Sequence, residues 1–158
     1  MMKKTLVLGV GNLLLGDEGV GIHAVRELEK ETLPPGVDLL DGGVCGLHLI
    51  NWLEGYERII MIDATLDDRP PGSVRRLRPR CVDDFPRLMS AHEIGLRDMI
   101  AALLLMGRSP EMDLIVVSVG NVGKPDDRLT PPVSAALPEV LCRVRSLLSP
   151  LPAAHERP

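Results

Sequence analysis

Leu6-Val7-Leu8-Gly9-Val10-Gly11-Asn12-Leu13-Leu14-Leu15-Gly16-Asp17-Glu18-Gly19-Val20-Gly21 begins as an apolar run, is closed by glycines, and sets two carboxylates in front of a helical pattern. A short continuous apolar run bounded by turn residues marks a strand buried on both faces, so Leu6 to Val10 reads as a strand. From about Glu18 to Glu31, Ile22, Val25 and Leu28 recur at helical spacing, and Pro34-Pro35-Gly36 stops the pattern. A helix start ordinarily attracts anions, so a pair of carboxylates at that point implies a bound cation or a proton.

Outward from this stretch the chain keeps alternating. Val37 to Leu40 reads as a second strand ending at Asp41-Gly42-Gly43, Leu47 to Leu53 as a short helix, and Arg58 to Ile62 as a third strand ending at Asp63. Alternation of this kind calls for an α/β fold with parallel pairing. Ala64 to Gly72 spans only nine residues and includes two prolines, Pro70 and Pro71, too few for a helical crossover. Val74 to Leu77 is therefore expected as an antiparallel or edge strand, which makes the sheet mixed. Ser90-Ala91-His92-Glu93 has capping-box spacing, and Leu96, Met99, Ile100, Leu103 and Leu104 continue a helix to Gly107. Leu114 to Val119 is the next strand. Thr130 is expected to cap a last helix with Pro131 at its first position and Val133, Leu137, Val140, Leu141, Val144 and Leu148 on one face; Pro138 is expected to kink it. A single domain over 1–149 and a flexible tail over 150–158 follow from the pattern.

Composition narrows the class. At 158 residues with one Trp, one Tyr and one Phe, the core has to be aliphatic. A domain of this size buries roughly 70% of the surface its unfolded chain exposes, enough for one core. The net charge of -4 offers no footprint for nucleic acid or an anionic membrane, and the cluster Arg75, Arg76, Arg78 and Arg80 reads as a solvated or edge strand. No signal-peptide pattern and no apolar stretch of the ~18 residues a membrane span needs is present, so a cytoplasmic protein is expected. Cys45, Cys81 and Cys142 form no Cys-x-x-Cys pair, which argues against a disulfide frame or a thiolate zinc site.

Ligands of open, mainly parallel sheets bind beyond the carboxyl ends of the strands. Asp17 and Glu18 follow the first strand, Asp41 ends the second, Asp63 ends the third, and His92 opens the helix after the edge strand. Glu18, Asp63 and His92 together would offer two oxygens and an imidazole nitrogen, a three-donor set with room for water or substrate. Plainer readings exist. Glu18 alone could be a first-turn acid gaining about 0.3–1 kcal/mol from the helix dipole, and His92 an exposed residue of a capped turn. Asp63 resists such a reading, because an acid closing an apolar strand is costly unless paired, capped or bound. His23, His48 and His155 read as structural or solvated. A zincin helix and a Gly-x-Ser-x-Gly elbow are both missing.

The glycine turn through Gly21, then Asp41-Gly42-Gly43 with Gly46, then Ile62-Asp63-Ala64, then Ser90-Ala91-His92-Glu93, in that order over roughly residues 4 to 148, resemble the [NiFe]-hydrogenase maturation endopeptidases. The resemblance implies a three-layer α/β/α fold with a mixed, mainly parallel sheet of about five strands, and cleavage of a C-terminal extension from a hydrogenase large-subunit precursor. It implies metal contacts through Glu18, Asp63 and His92, with the nickel supplied by the precursor and no organic cofactor. Asp41, Gly42 and Gly43 are expected to touch substrate, and Asp17 or Asp63 to act as base. The enzyme is expected to work as a monomer, without nucleic acid or membrane. Val119 to Pro125 stands where many relatives carry a longer loop, and this region is expected to help choose the precursor. Two rival readings are a nucleotide-binding module, which lacks its third glycine at Leu14, and a peptidyl-tRNA hydrolase, which lacks its proline and early histidine.

Overall fold

Residues that read as unbroken apolar runs occupy the middle of a five-stranded sheet, and the half-polar ones its edges. The computed structural model describes residues 3–43, 49–84, 96–107, 109–120 and 123–149. Among these, β1 (Thr5–Gly9), β2 (Val37–Asp41), β3 (Arg58–Thr65), β4 (Val74–Leu77) and β5 (Glu111–Ser118) are ordered β2-β1-β3-β5-β4. β1 pairs in parallel with β2 and β3, β3 in parallel with β5, and β4 lies antiparallel to β5. Val74–Leu77 is thus the antiparallel edge that the short linker required. Its arginines meet acids: Arg75 pairs with Asp67 at 2.7 Å and Arg76 with Asp113 at 2.6 Å, while Arg78 pairs with Glu111.

Helices cover both faces. α1 (Val20–Leu28) and α4 (Pro131–Leu148) bury Val20, Ala24, Leu28, Val133, Val140 and Val144 against Val7, Ile60, Ile62, Ile115 and Val117. α2 (Ile50–Leu53) and α3 (Leu96–Leu105) bring Leu53, Ile100 and Leu103 against the alternate residues Leu6, Leu8, Ile59, Met61, Leu114 and Val116. The period-two alternation of each central strand serves one layer on each side, which gives a three-layer α/β/α architecture.

Several boundaries differ from the sequence reading, each for a physical reason. β3 runs two residues past Asp63, because β5 continues alongside it to the pair Thr65 with Ser118. β5 starts at Glu111, before the apolar run, since its two acids are neutralised in place. Lys3 and Arg78 meet Glu111; Arg58 and Arg76 bind the fully buried Asp113, and Arg58 also donates to the Leu147 carbonyl at the end of α4. Glu18 stands on a separate 3-10 turn, Gly16–Gly19, and α1 begins only at Val20. α4 spans Pro131–Leu148 as expected, with Pro138 inside it; Pro138 and Ser134, whose carbonyl lacks the N–H of Pro138 as donor, are both exposed, so water can serve the carbonyl. The expected capping box, Cys45, Gly46, His48 and the tail lie outside the described residues.

Candidate active site

Strand order reverses between β1 and β3, since the chain leaves β1 for β2 on one side and returns to β3 on the other. Such a switch point opens a crevice at the carboxyl ends of the strands. Here the crevice is bordered by the glycine turn. A Cβ on Gly21 would lie 2.2 Å from the Ile62 carbonyl oxygen, so α1 starts directly on the end of β3 only because that side chain is missing. Gly11 adopts φ 142°, and a Cβ there would lie 1.9 Å from the Glu18 carbonyl oxygen. The Asn12 N–H donates to that same oxygen at 3.3 Å, and the Val10 N–H donates to the Ile62 carbonyl at 3.1 Å.

The second turn leans on the first. Gly42 N–H donates to the Gly9 carbonyl at 2.8 Å and Gly11 N–H to the Gly43 carbonyl at 3.0 Å. Asp41 is exposed, and its Oδ1 accepts the Gly43 N–H at 3.0 Å, shaping the turn. Glu18, the Asp41-Gly42-Gly43 turn and Asp63 therefore all adjoin Gly9–Asn12.

Asp63 is fully buried. Pairing of β3 with β1 stops at Ile62 opposite Gly9, so Asp63 is the first residue of β3 beyond β1. Alternating with Ile59 and Met61, its side chain belongs to the α2/α3 layer, and its Oδ1 accepts the Ala64 N–H at 2.8 Å. Glu18 is half-buried on the 3-10 turn, which packs against β3. His92 lies outside the described residues, and among those described no three His, Cys, Asp or Glu side chains gather as a metal set. Glu18 and Asp63 would need His92 to make three donors. His23 is half-buried on α1; burial first, then the Arg26 charge, push its imidazole below the ordinary value, in keeping with a structural place.

Asp17 has a partner that spacing could not reveal. It is 3% exposed, and its two oxygens accept the Thr130 N–H and the Thr130 hydroxyl, each at 2.7 Å. Thr130 stands at the N-cap of α4 as expected, yet its side chain makes no cap hydrogen bond. The charged acceptor at Asp17 offers a hydrogen bond roughly twice as strong as the neutral one within the helix. Nothing in the sequence pairs positions 113 residues apart, so this link was missed.

Comparison with known proteins gives a consistent result. The hydrogenase maturation protease (HycI) family matches residues 22–146. The hydrogenase 2 maturation protease of Escherichia coli K12 is 36% identical over 149 residues, covering 90% of this chain and 91% of that protein. The hydrogenase expression/formation protein HupD of Bradyrhizobium diazoefficiens is 38% identical over 140 residues, covering 82% of this chain and 70% of that one. Among solved structures, the hydrogenase maturating endopeptidase HybD from E. coli superposes with a TM-score of 0.84 at 35% identity, covering 92% of this chain and 91% of its own. The [NiFe] hydrogenase maturation protease HybD from Thermococcus kodakarensis gives 0.76 at 27% identity, covering 92% and 99%. None of these matches favours the nucleotide-binding or peptidyl-tRNA hydrolase reading. With a family match over residues 22–146, a relative 36% identical over 90% of this chain and a solved structure superposing at a TM-score of 0.84, the chain belongs to the hydrogenase maturation protease family.

Proposed function

We propose that this protein is an endopeptidase that removes the C-terminal extension of a [NiFe]-hydrogenase large-subunit precursor after nickel insertion. It would read that nickel through Glu18, Asp63 and His92. The observation that carries the reading is the Gly9–Asn12 turn, against which the Glu18 backbone, the Asp41–Gly43 turn and the end of β3 at Ile62 are all held. The segments that carry the two acids thereby meet at one turn.

Nickel enters here as part of the substrate. The precursor's own ligands hold the ion, and the carboxylates of Glu18 and Asp63 with the imidazole of His92 complete its coordination. Docking on the ion fixes the scissile bond beside a polarising charge and converts recognition into proximity. Of the two acids offered as base, Asp17 has both oxygens engaged by Thr130. Asp63, whose Oδ1 accepts the Ala64 N–H, is the other candidate to take a proton from the attacking water as the water oxygen bonds to the scissile carbonyl carbon. The proton then passes to the leaving amine as the C–N bond breaks. Asp41, Gly42 and Gly43, of which Asp41 is exposed, would contact the precursor chain, and the region 119–125 would help select it. No organic cofactor and no nucleic acid enters the reaction, and a cytoplasmic monomer suffices for it. No helix among the described residues is long and apolar enough to cross a membrane.

Purified protein mixed with nickel-loaded precursor should shorten it and leave the nickel-free form intact, read by intact-protein mass spectrometry. Equal cleavage of both forms would refute metal reading. Glu18→Gln, Asp63→Asn and His92→Ala should each abolish processing with the fold retained; normal processing by any two would remove the site.

A further inference from the structure

The short segment that carries Glu18 is bound along its length to the loop before α4. Leu15 bridges Asp126 in parallel, the Gly16 N–H donates to the Asp126 carbonyl at 2.7 Å, and the Asp126 N–H donates to the Leu14 carbonyl at 3.0 Å. Asp17 completes the run with its two bonds to Thr130. On the other side, the main-chain contacts of Glu18 are longer: Asn12 N–H to its carbonyl and its own N–H to Leu15, both 3.3 Å. Two charge-assisted bonds of 2.7 Å at Asp17 thus stand one residue before Glu18.

Their anchor is rigid. Val133 and Val140 of α4 are fully buried in the sheet-facing core, and Pro131 and Pro132 fix the two residues after Thr130. A carboxylate buried to this degree is costly unless its hydrogen bonds are supplied, and Thr130 supplies two from a single residue. The Gly11 contact with the Glu18 carbonyl leaves the turn little room on its other side. From this geometry we infer that Asp17 and Thr130 are positioning residues: they bolt the 3-10 turn to α4 and so hold Glu18 at the angle the reaction needs. This role rests on the proposed use of Glu18 in reading the substrate's nickel, and it assigns Asp17 to orientation in place of proton transfer.

Thr130→Val removes the hydroxyl donor and keeps the backbone donor; Thr130→Ser keeps both. Val144→Ala, in the α4 core and far from the clamp, serves as the control for loss of stability alone. Processing of nickel-loaded precursor is measured at a temperature where all variants are folded, with kcat and KM determined separately. Thr130→Val should lower kcat about tenfold with KM changed less than twofold, Thr130→Ser should process as the parent does, and Val144→Ala should keep the parent's kcat. Asp17→Ala, where it folds, should lose about a hundredfold, since both bonds go. Parent-like kcat for Thr130→Val, or an equal loss for Val144→Ala, would overturn the inference while leaving Glu18 in its role, provided Glu18→Gln is inactive. Normal processing by Glu18→Gln would instead remove the reading beneath it, and the positioning role with it.

Discussion

Gly11→Ala tests the argument about the turn most directly. The added Cβ would fall 1.9 Å from the Glu18 carbonyl oxygen, whereas contacts of this kind stay above 3.0 Å, so the turn and the 3-10 segment must separate by about 1.1 Å. The opposing atom is backbone and cannot rotate away. At φ 142° the alanine is also strained, at about 1–3 kcal/mol, and forcing packed groups apart adds a similar amount. Partial relaxation brings the expected loss to about 2–4 kcal/mol, read from urea unfolding. Because the displaced group is Glu18 itself, processing of nickel-loaded precursor by the folded variant should fall about a hundredfold, as a misplacement near 1 Å can cause. Gly55→Ala is the control. Gly55 has φ 95° but nothing within 4 Å of its would-be Cβ, so only the backbone strain of about 1–3 kcal/mol applies and processing should be unchanged. A Gly11→Ala protein as stable as Gly55→Ala, with the parent's activity, would refute the contact argument.

Other outcomes follow from the opposite end of the sheet. Asp113→Asn leaves Arg58 and Arg76 facing a neutral partner in a buried site, and should cost about 3 kcal/mol of unfolding free energy with little effect on kcat of the folded enzyme. Burial alone would raise the Asp113 carboxyl, but hydrogen bonds and charge from Arg58 and Arg76 outweigh it and hold the group below its ordinary value. The unfolded chain then binds the extra proton first as pH falls. The stabilisation is fully present above the unfolded value near 3.8 and is lost as pH drops through the folded one, so Asp113→Asn should flatten the acid limb of the stability curve. Tyr56, the only tyrosine, is pushed up to about 12 by burial first and then by its bond to Asp38, so absorbance titration of the folded protein should show no phenolate at pH 10. A tyrosine half-ionised at pH 10 would contradict that geometry.

How much was written in the sequence varies with the range of the interaction concerned. The central strands, the edge placement of Val74–Leu77 and the amphipathic face of α4 were legible, because burial on one or two faces imposes a local period that any window of residues displays. Runs interrupted by acids misled: β3 stopped too early at Asp63 and β5 started too late, since the arginines that make Asp113 tolerable arrive from Arg58 and Arg76, on neighbouring strands. Motif order alone pointed to the family and to Glu18, Asp63 and His92 as candidates. Tertiary structure decided that the Glu18 backbone and the end of β3 meet at one glycine turn, which tolerates backbone contact where a side chain would not fit. It alone also gave Asp17 to Thr130, because a hydrogen bond between segments so distant in the chain forms only after folding has brought the start of α4 beside the 3-10 turn, and no local pattern encodes it.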